Sequence, residues 1–147
     1  IARAPVPPER ISFKLSPDDK VSLGLFWEEN CDLEKAAEFY LQAYNEFSDR
    51  RKRAVALTNA GNARFRQGDE KTALILFETA VKEDPTYAPA LNNFAYTLLK
   101  TEGDLNRALE LVQKALALDP RNERIYLKTL NQIKENMEKR TDETPYK

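Results

Sequence analysis

The chain has 147 residues, with 23 lysines and arginines against 24 aspartates and glutamates and a formal net charge of −1. That is one domain's worth of chain, and near-neutrality removes any global electrostatic case for nucleic acid or an anionic membrane. Histidine is absent, which takes away the commonest general base and metal ligand; the single cysteine excludes an internal disulfide, and no apolar run reaches the roughly 18 residues of a spanning helix.

Residues 1–16 carry Pro5, Pro7 and Pro8, which restrict the backbone and remove amide donors, so an extended arm or linker is expected. Ile11, Phe13 and Leu15 alternate with Ser12 and Lys14, a period of two that puts three apolar groups on one side. They are expected either to pack on the first helix or to dock into another protein or a neighbouring copy. Ile1 stands where an initiator methionine would, so we expect a processed chain or part of a larger one. The stretch itself lacks the apolar core of a signal peptide.

Ser16 and Pro17 open the first helix as N-cap and first helical residue. Helices are expected over 17–30 and 33–47, 50–67 and 70–83, 88–101 and 105–118, with a last helix over 122–139. Asp32, Asp69 and Asp104 each precede the second helix of a pair, where a carboxylate accepts from free N–H groups and suits the positive helix end. Cys31, Gly68 and Gly103 occupy the turn before them. Pro85 and Pro120 stop two of the second helices. The first pair lacks such a proline, and 37 residues separate Gly24 from Gly61, so its stacking on the second pair is expected to differ.

The last helix puts Tyr126, Leu130, Ile133 and Met137 on one face with Ile125 and Thr129 beside them, the pattern of an amphipathic cap. Residues 140–147 show no apolar period and are expected to be a flexible tail. Between the first two pairs, Arg50, Arg51, Lys52 and Arg53 are the densest local charge. Four cations at a helix start oppose its dipole, so they are read either as a solvated turn or as a contact for phosphate, an acidic peptide or lipid head groups. The lack of interleaved aromatics argues against nucleic acid.

The strongest regularity is a recurrence of residue types. Gly61, Gly68, Ala73, Phe77, Ala80 and Pro85 are matched upstream by Gly24, Cys31, Ala36, Tyr40, Ala43 and Ser48 at the same offsets, and downstream by Ala95, Gly103, Ala108, Val112, Ala115 and Pro120 with one residue inserted. Small residues on both helices let backbones approach, and Tyr40, Phe77 and Val112 fill the gap. A period near 34 residues with this pattern resembles the tetratricopeptide repeat. The resemblance implies an all-α, right-handed solenoid of three antiparallel helix pairs plus a capping helix. Its repeats would span about 17–49, 50–87 and 88–121, and the whole domain 17–139.

No glycine-rich phosphate loop or catalytic constellation is present, so no enzyme activity, cofactor or metal is expected. The resemblance implies instead a protein-interaction scaffold or adaptor that holds a partner protein or peptide segment in a concave groove lined by the first helices. By register this groove takes Leu25 and Glu28 from repeat one, Thr58, Asn59, Asn62, Phe65 and Arg66 from repeat two, and Asn92, Asn93, Tyr96 and Lys100 from repeat three. Asparagine amides both donate to and accept from a peptide backbone, and Phe65 and Tyr96 offer apolar anchors. One subset of the family clamps the C-terminal carboxylate of heat-shock chaperones; of the clamp positions only Asn59 matches, the others being Val21, Leu25, Pro89 and Asn93. Ala90–Tyr96 resembles bacterial repeats, which implies an assembly or accessory subunit of a bacterial envelope complex, membrane-associated or in the periplasm. The alternatives are a structural subunit held by its ends and arm, or an accessory module of a larger enzyme.

Overall fold

The computed structural model describes residues 14–143, in which seven α-helices follow one another without a strand: α1 Pro17–Glu29, α2 Leu33–Glu46, α3 Arg50–Arg66, α4 Glu70–Glu83, α5 Ala88–Lys100, α6 Leu105–Leu118 and α7 Glu123–Asp142. A 3₁₀ turn, Pro120–Asn122, leads into α7. Each helix packs against the next in the chain, and α3 also touches α5, and α5 touches α7. The result is a right-handed solenoid of three antiparallel pairs closed by α7. Ile11 and Phe13 lie outside the described residues; Leu15, the remaining member of the apolar arm, is exposed.

Helix starts are written in single residues. Ser16 accepts from the Asp19 N–H while the Asp19 carboxylate accepts from the Ser16 N–H, a reciprocal cap. Asp32, Asp69 and Asp104 accept from the N–H groups of Lys35, Thr72 and Arg107 as their positions required. Asp49 does the same for α3 through Lys52, a cap not anticipated from the sequence.

The hairpin inside each repeat is one device used three times. The N–H groups of Asp32, Asp69 and Gly103 reach back to the carbonyls of Trp27, Arg64 and Leu98 at 2.9, 3.0 and 2.8 Å, closing a Schellman turn. Its left-handed residue is Cys31 (φ 61°), Gly68 (φ 84°) and, in repeat three, Glu102 (φ 56°). That corrects the expectation of Gly103 there: the inserted residue takes the left-handed conformation, and Gly103 becomes the following residue, where a Cβ would lie 2.9 Å from the Leu98 side chain.

Within each pair a small residue faces a large one. A Cβ on Gly24 would sit 2.4 Å from Tyr40 Cε1, and one on Gly61 2.5 Å from Phe77 Cε1. In repeat three the smaller Val112 leaves room for Ala95, and both are fully buried in one cluster. Burial of these rings and of Leu57, Leu91 and Ile133 forms a core that runs along the solenoid without a single centre.

The basic run, in the first turn of α3, also acts as a fastener within the fold, while Arg50, Arg51 and Lys52 remain exposed. Arg53 Nη1 donates to the carbonyls of Tyr44 and Phe47, both at 3.1 Å, Nη2 donates to Glu83 at 3.0 Å, and the guanidinium lies over the Tyr44 ring. Arg51 binds Asp84 and Thr86 and covers Tyr87, while Lys52 reaches Asp18 at 3.3 Å. One turn of α3 thereby ties α1, α2 and the α4–α5 junction together, at the place where repeat one has no proline to set the turn. The Arg53 fork also occupies carbonyls at the end of α2.

α7 buries Tyr126, Thr129, Leu130 and Ile133. Ile125, expected beside that face, is exposed. The helix continues to Asp142, past the expected end at 139, and Arg140 donates to the Gly103 carbonyl at 3.2 Å, so residues 140–142 are not a tail.

Candidate functional site

The first helices of the pairs, α1, α3 and α5, sit side by side and leave an open cavity of about 340 Å³ between them. Six residues expected to face a partner line it: Glu28, Asn62, Phe65, Arg66, Asn93 and Tyr96. Phe77 and Thr97 form its floor. Both had a structural reading in the sequence or none, and only the i,i+4 relation of Thr97 to Asn93 hinted at its place.

Two expected groove residues are corrected. Thr58 is 2% exposed and its hydroxyl donates to the Ala54 carbonyl at 2.7 Å, so it has no surface for a partner. Asn92 is 6% exposed, and its Oδ1 accepts no hydrogen bond. Both point into the packing beside their helices, and Asn92 stands one residue before Asn93, which does line the cavity. Asn59 is half-buried, and Leu25 is exposed on α1 outside the cavity.

The site has three chemically distinct parts. At one side Arg66 Nη1 donates to Glu28 Oε1 at 3.2 Å, and the Tyr40 hydroxyl donates to Glu28 Oε2 at 2.9 Å. Burial, and then the hydrogen bond to Glu28, push the Tyr40 phenol far above its ordinary pKa, so it remains a donor throughout the neutral range. In the middle Asn93 Nδ2 donates to Asn62 Oδ1 at 2.9 Å, linking α5 to α3. At the far side the Phe65 and Tyr96 rings meet with centroids 5.8 Å apart and planes tilted by 58°, and Lys100 lies 5.2 Å from the Tyr96 centroid.

Elsewhere, Leu15 lines a second cavity with Lys14, Ser16, Pro17 and Glu46. Of the basic run, Arg51, Lys52 and Arg53 are engaged as described above, and Arg50 stands near enough to Glu83 for its charge to help hold that carboxylate down, behind the hydrogen bond from Arg53. No helix among the described residues is long and apolar enough to cross a membrane.

Comparison with known proteins agrees with this architecture. The family model of the tetratricopeptide repeat matches residues 64–130. Among solved structures, the Sgt2 TPR domain from Aspergillus fumigatus superposes with a TM-score of 0.77 at 21% identity, covering 89% of this chain and 86% of that one. The first TPR of Spaghetti (RPAP3), bound to the HSP90 peptide SRMEEVD, gives 0.74 at 18% identity, covering 83% and 95%. The TPR2B domain of yeast Sti1, in complex with pHsp70, gives 0.72 at 15%, covering 82% and 97%. No curated protein matches in sequence. At these identities the likeness speaks for the fold: with the family match over residues 64–130 and the three observed helix pairs, it shows a solenoid of the tetratricopeptide-repeat type, with three repeats and a closing helix.

Proposed function

We propose that this protein is a non-catalytic interaction scaffold that holds a segment of a partner protein in the concave groove of α1, α3 and α5. The observation that carries the reading is the convergence of Asn62, Phe65, Arg66, Asn93 and Tyr96 from two helices on one open cavity. Such a surface combines amides that match a peptide backbone with rings that serve as anchors. That the solved RPAP3 and Sti1 repeat domains are bound to HSP90 and Hsp70 segments supports the same use of the fold. Within the proposal, Ala90–Tyr96 favours an accessory or assembly subunit of a bacterial envelope complex.

The test is capture of partners from the native source with wild type, with Asn62→Ala/Asn93→Ala/Tyr96→Ala, and with Glu110→Ala/Lys114→Ala on the far side of α6. Loss with the groove variant alone is the expected result; retention of every partner by it counts against the groove. A structural subunit held by its end is the second reading, favoured by the exposure of Leu15, Leu25 and Phe26 at the α1 end. Loss of assembly on deleting residues 1–16, with groove variants neutral, would select it.

A further inference from the structure

We infer that the groove is specific for an uncharged, extended, internal stretch of its partner, with one large apolar side chain seated at Phe65 and Tyr96 and one peptide unit paired with Asn62 and Asn93. This rests on the groove reading above and adds the chemistry of the occupant.

Size comes first. A cavity of about 340 Å³ lies at the small end of ligand sites, which run from roughly 300 to 1,000 Å³. It suits one large side chain with its adjoining backbone. The apolar wall supplies the seat: Phe65 and Tyr96 at 5.8 Å, over the buried Phe77 ring.

The amide pair supplies direction. One hydrogen bond, Asn93 Nδ2 to Asn62 Oδ1, is already made. Each asparagine has a second hydrogen-bonding group, a donor on Asn62 and an acceptor on Asn93, and neither has another protein partner among the described residues. A free donor beside a free acceptor complements a peptide unit, which presents one C=O and one N–H. A carboxylate presents acceptors only and an ammonium donors only, so either leaves one amide unmatched in a partly desolvated site. A helical segment has its backbone groups spent internally and pairs with neither.

Charge closes the case. Both Glu28 oxygens are engaged, by Arg66 and by Tyr40, and Arg66 is paired in turn. Lys100 stands against the Tyr96 face. A cationic group must therefore compete with Arg66 and Tyr40 for the one carboxylate that lines the cavity, which a neutral group need not do.

The experiment is an NMR titration of the ¹⁵N-labelled chain with three small probes: N-acetyl-phenylalanine N-methylamide, N-acetyl-phenylalanine with its free carboxylate, and N-acetyl-lysine N-methylamide. The neutral probe is expected to shift the side-chain NH₂ signals of Asn62 and Asn93 and the backbone amides of Phe65 and Tyr96, binding about tenfold more tightly than either charged probe. Asn62→Asp, a surface change that spares the core, is expected to abolish that preference, and Tyr96→Ala to abolish the shifts. Equal or tighter binding of a charged probe, or no shift at these signals with the neutral one, overturns the inference. If groove variants lose the partner while the neutral probe never binds, this inference falls and the groove reading stands. If they keep the partner, both fall.

Discussion

Gly61→Ala separates packing from propensity, because the two act in opposite directions. Alanine in mid-helix is favoured over glycine by about 0.5–1 kcal/mol, so a reading from helix propensity alone predicts stabilisation. The Cβ, however, would lie 2.5 Å from Phe77 Cε1 and 2.8 Å from Cδ1, about 1 Å inside ordinary carbon contact. Phe77 is 1% exposed and packed in one cluster with Ala73 and Phe94, so moving its ring disturbs those contacts and the floor of the cavity. Overpacking of this kind costs about 1–3 kcal/mol, so after the propensity gain a net loss of up to about 2.5 kcal/mol remains. Repeat three shows the remedy, since it carries Ala95 with Val112 in the equivalent places. Phe77→Val alone should cost about 1–3 kcal/mol through the cavity it leaves. In the double variant the new Cβ fills part of that cavity, so the two changes should couple favourably by at least about 0.5 kcal/mol. Urea unfolding followed by far-UV circular dichroism reads this directly: at a slope of about 2 kcal/mol per M, Gly61→Ala lowers the midpoint by up to about 1.2 M. A higher midpoint for Gly61→Ala, or strictly additive effects in the double variant, would refute the reasoning.

Three other substitutions test the energetics of the junctions. Arg53→Ala removes donors to two α2 carbonyls and to Glu83, and should cost about 1–2 kcal/mol in the same assay; an unchanged midpoint would mean the fastener contributes nothing. Burial raises the Asp84 carboxyl, but the hydrogen bonds from Arg51 and Thr86 outweigh it and bring its pKa down to about 2. Folded below unfolded means the stability it contributes is present above about pH 4 and lost as pH falls towards 2. Asp84→Asn should therefore flatten the acid limb of a stability–pH profile by about 1–2 kcal/mol, screening at the half-exposed Arg51 included; parallel limbs for both proteins would contradict it. Asn92→Leu replaces an amide whose buried Oδ1 has no partner, and should raise the unfolding midpoint, by about 1 kcal/mol. A fall would show that the amide is satisfied in solution.

The residues that shape the backbone were legible because each has one dominant local cause. Ser16 with Pro17, and the aspartates at 32, 69 and 104, declare helix starts; Gly24 and Gly61 declare close approach. Glu102 escaped notice because a single insertion shifts which residue takes the left-handed position, and only the closed turn shows that it is not Gly103. The basic run escaped because its partners, Asp18, Glu83 and Asp84, lie about 30 residues away or more and meet it only once the pairs stack. In the groove, register found the helix faces but not depth: Asn92 and Asn93 are neighbours of one residue type, and the rotation of α5 alone makes one buried and the other a lining residue.

The central claim is that a partner lies in the concave groove, and a photocrosslinking amino acid tests it most directly. Placed at Tyr96, and separately at Lys114 on the opposite face, in protein expressed in its native source, it reports which surface touches a partner. The account predicts a crosslinked partner peptide at position 96, mapped by mass spectrometry to an extended and uncharged stretch, and none at 114. Crosslinks from 114 with none from 96 would contradict it.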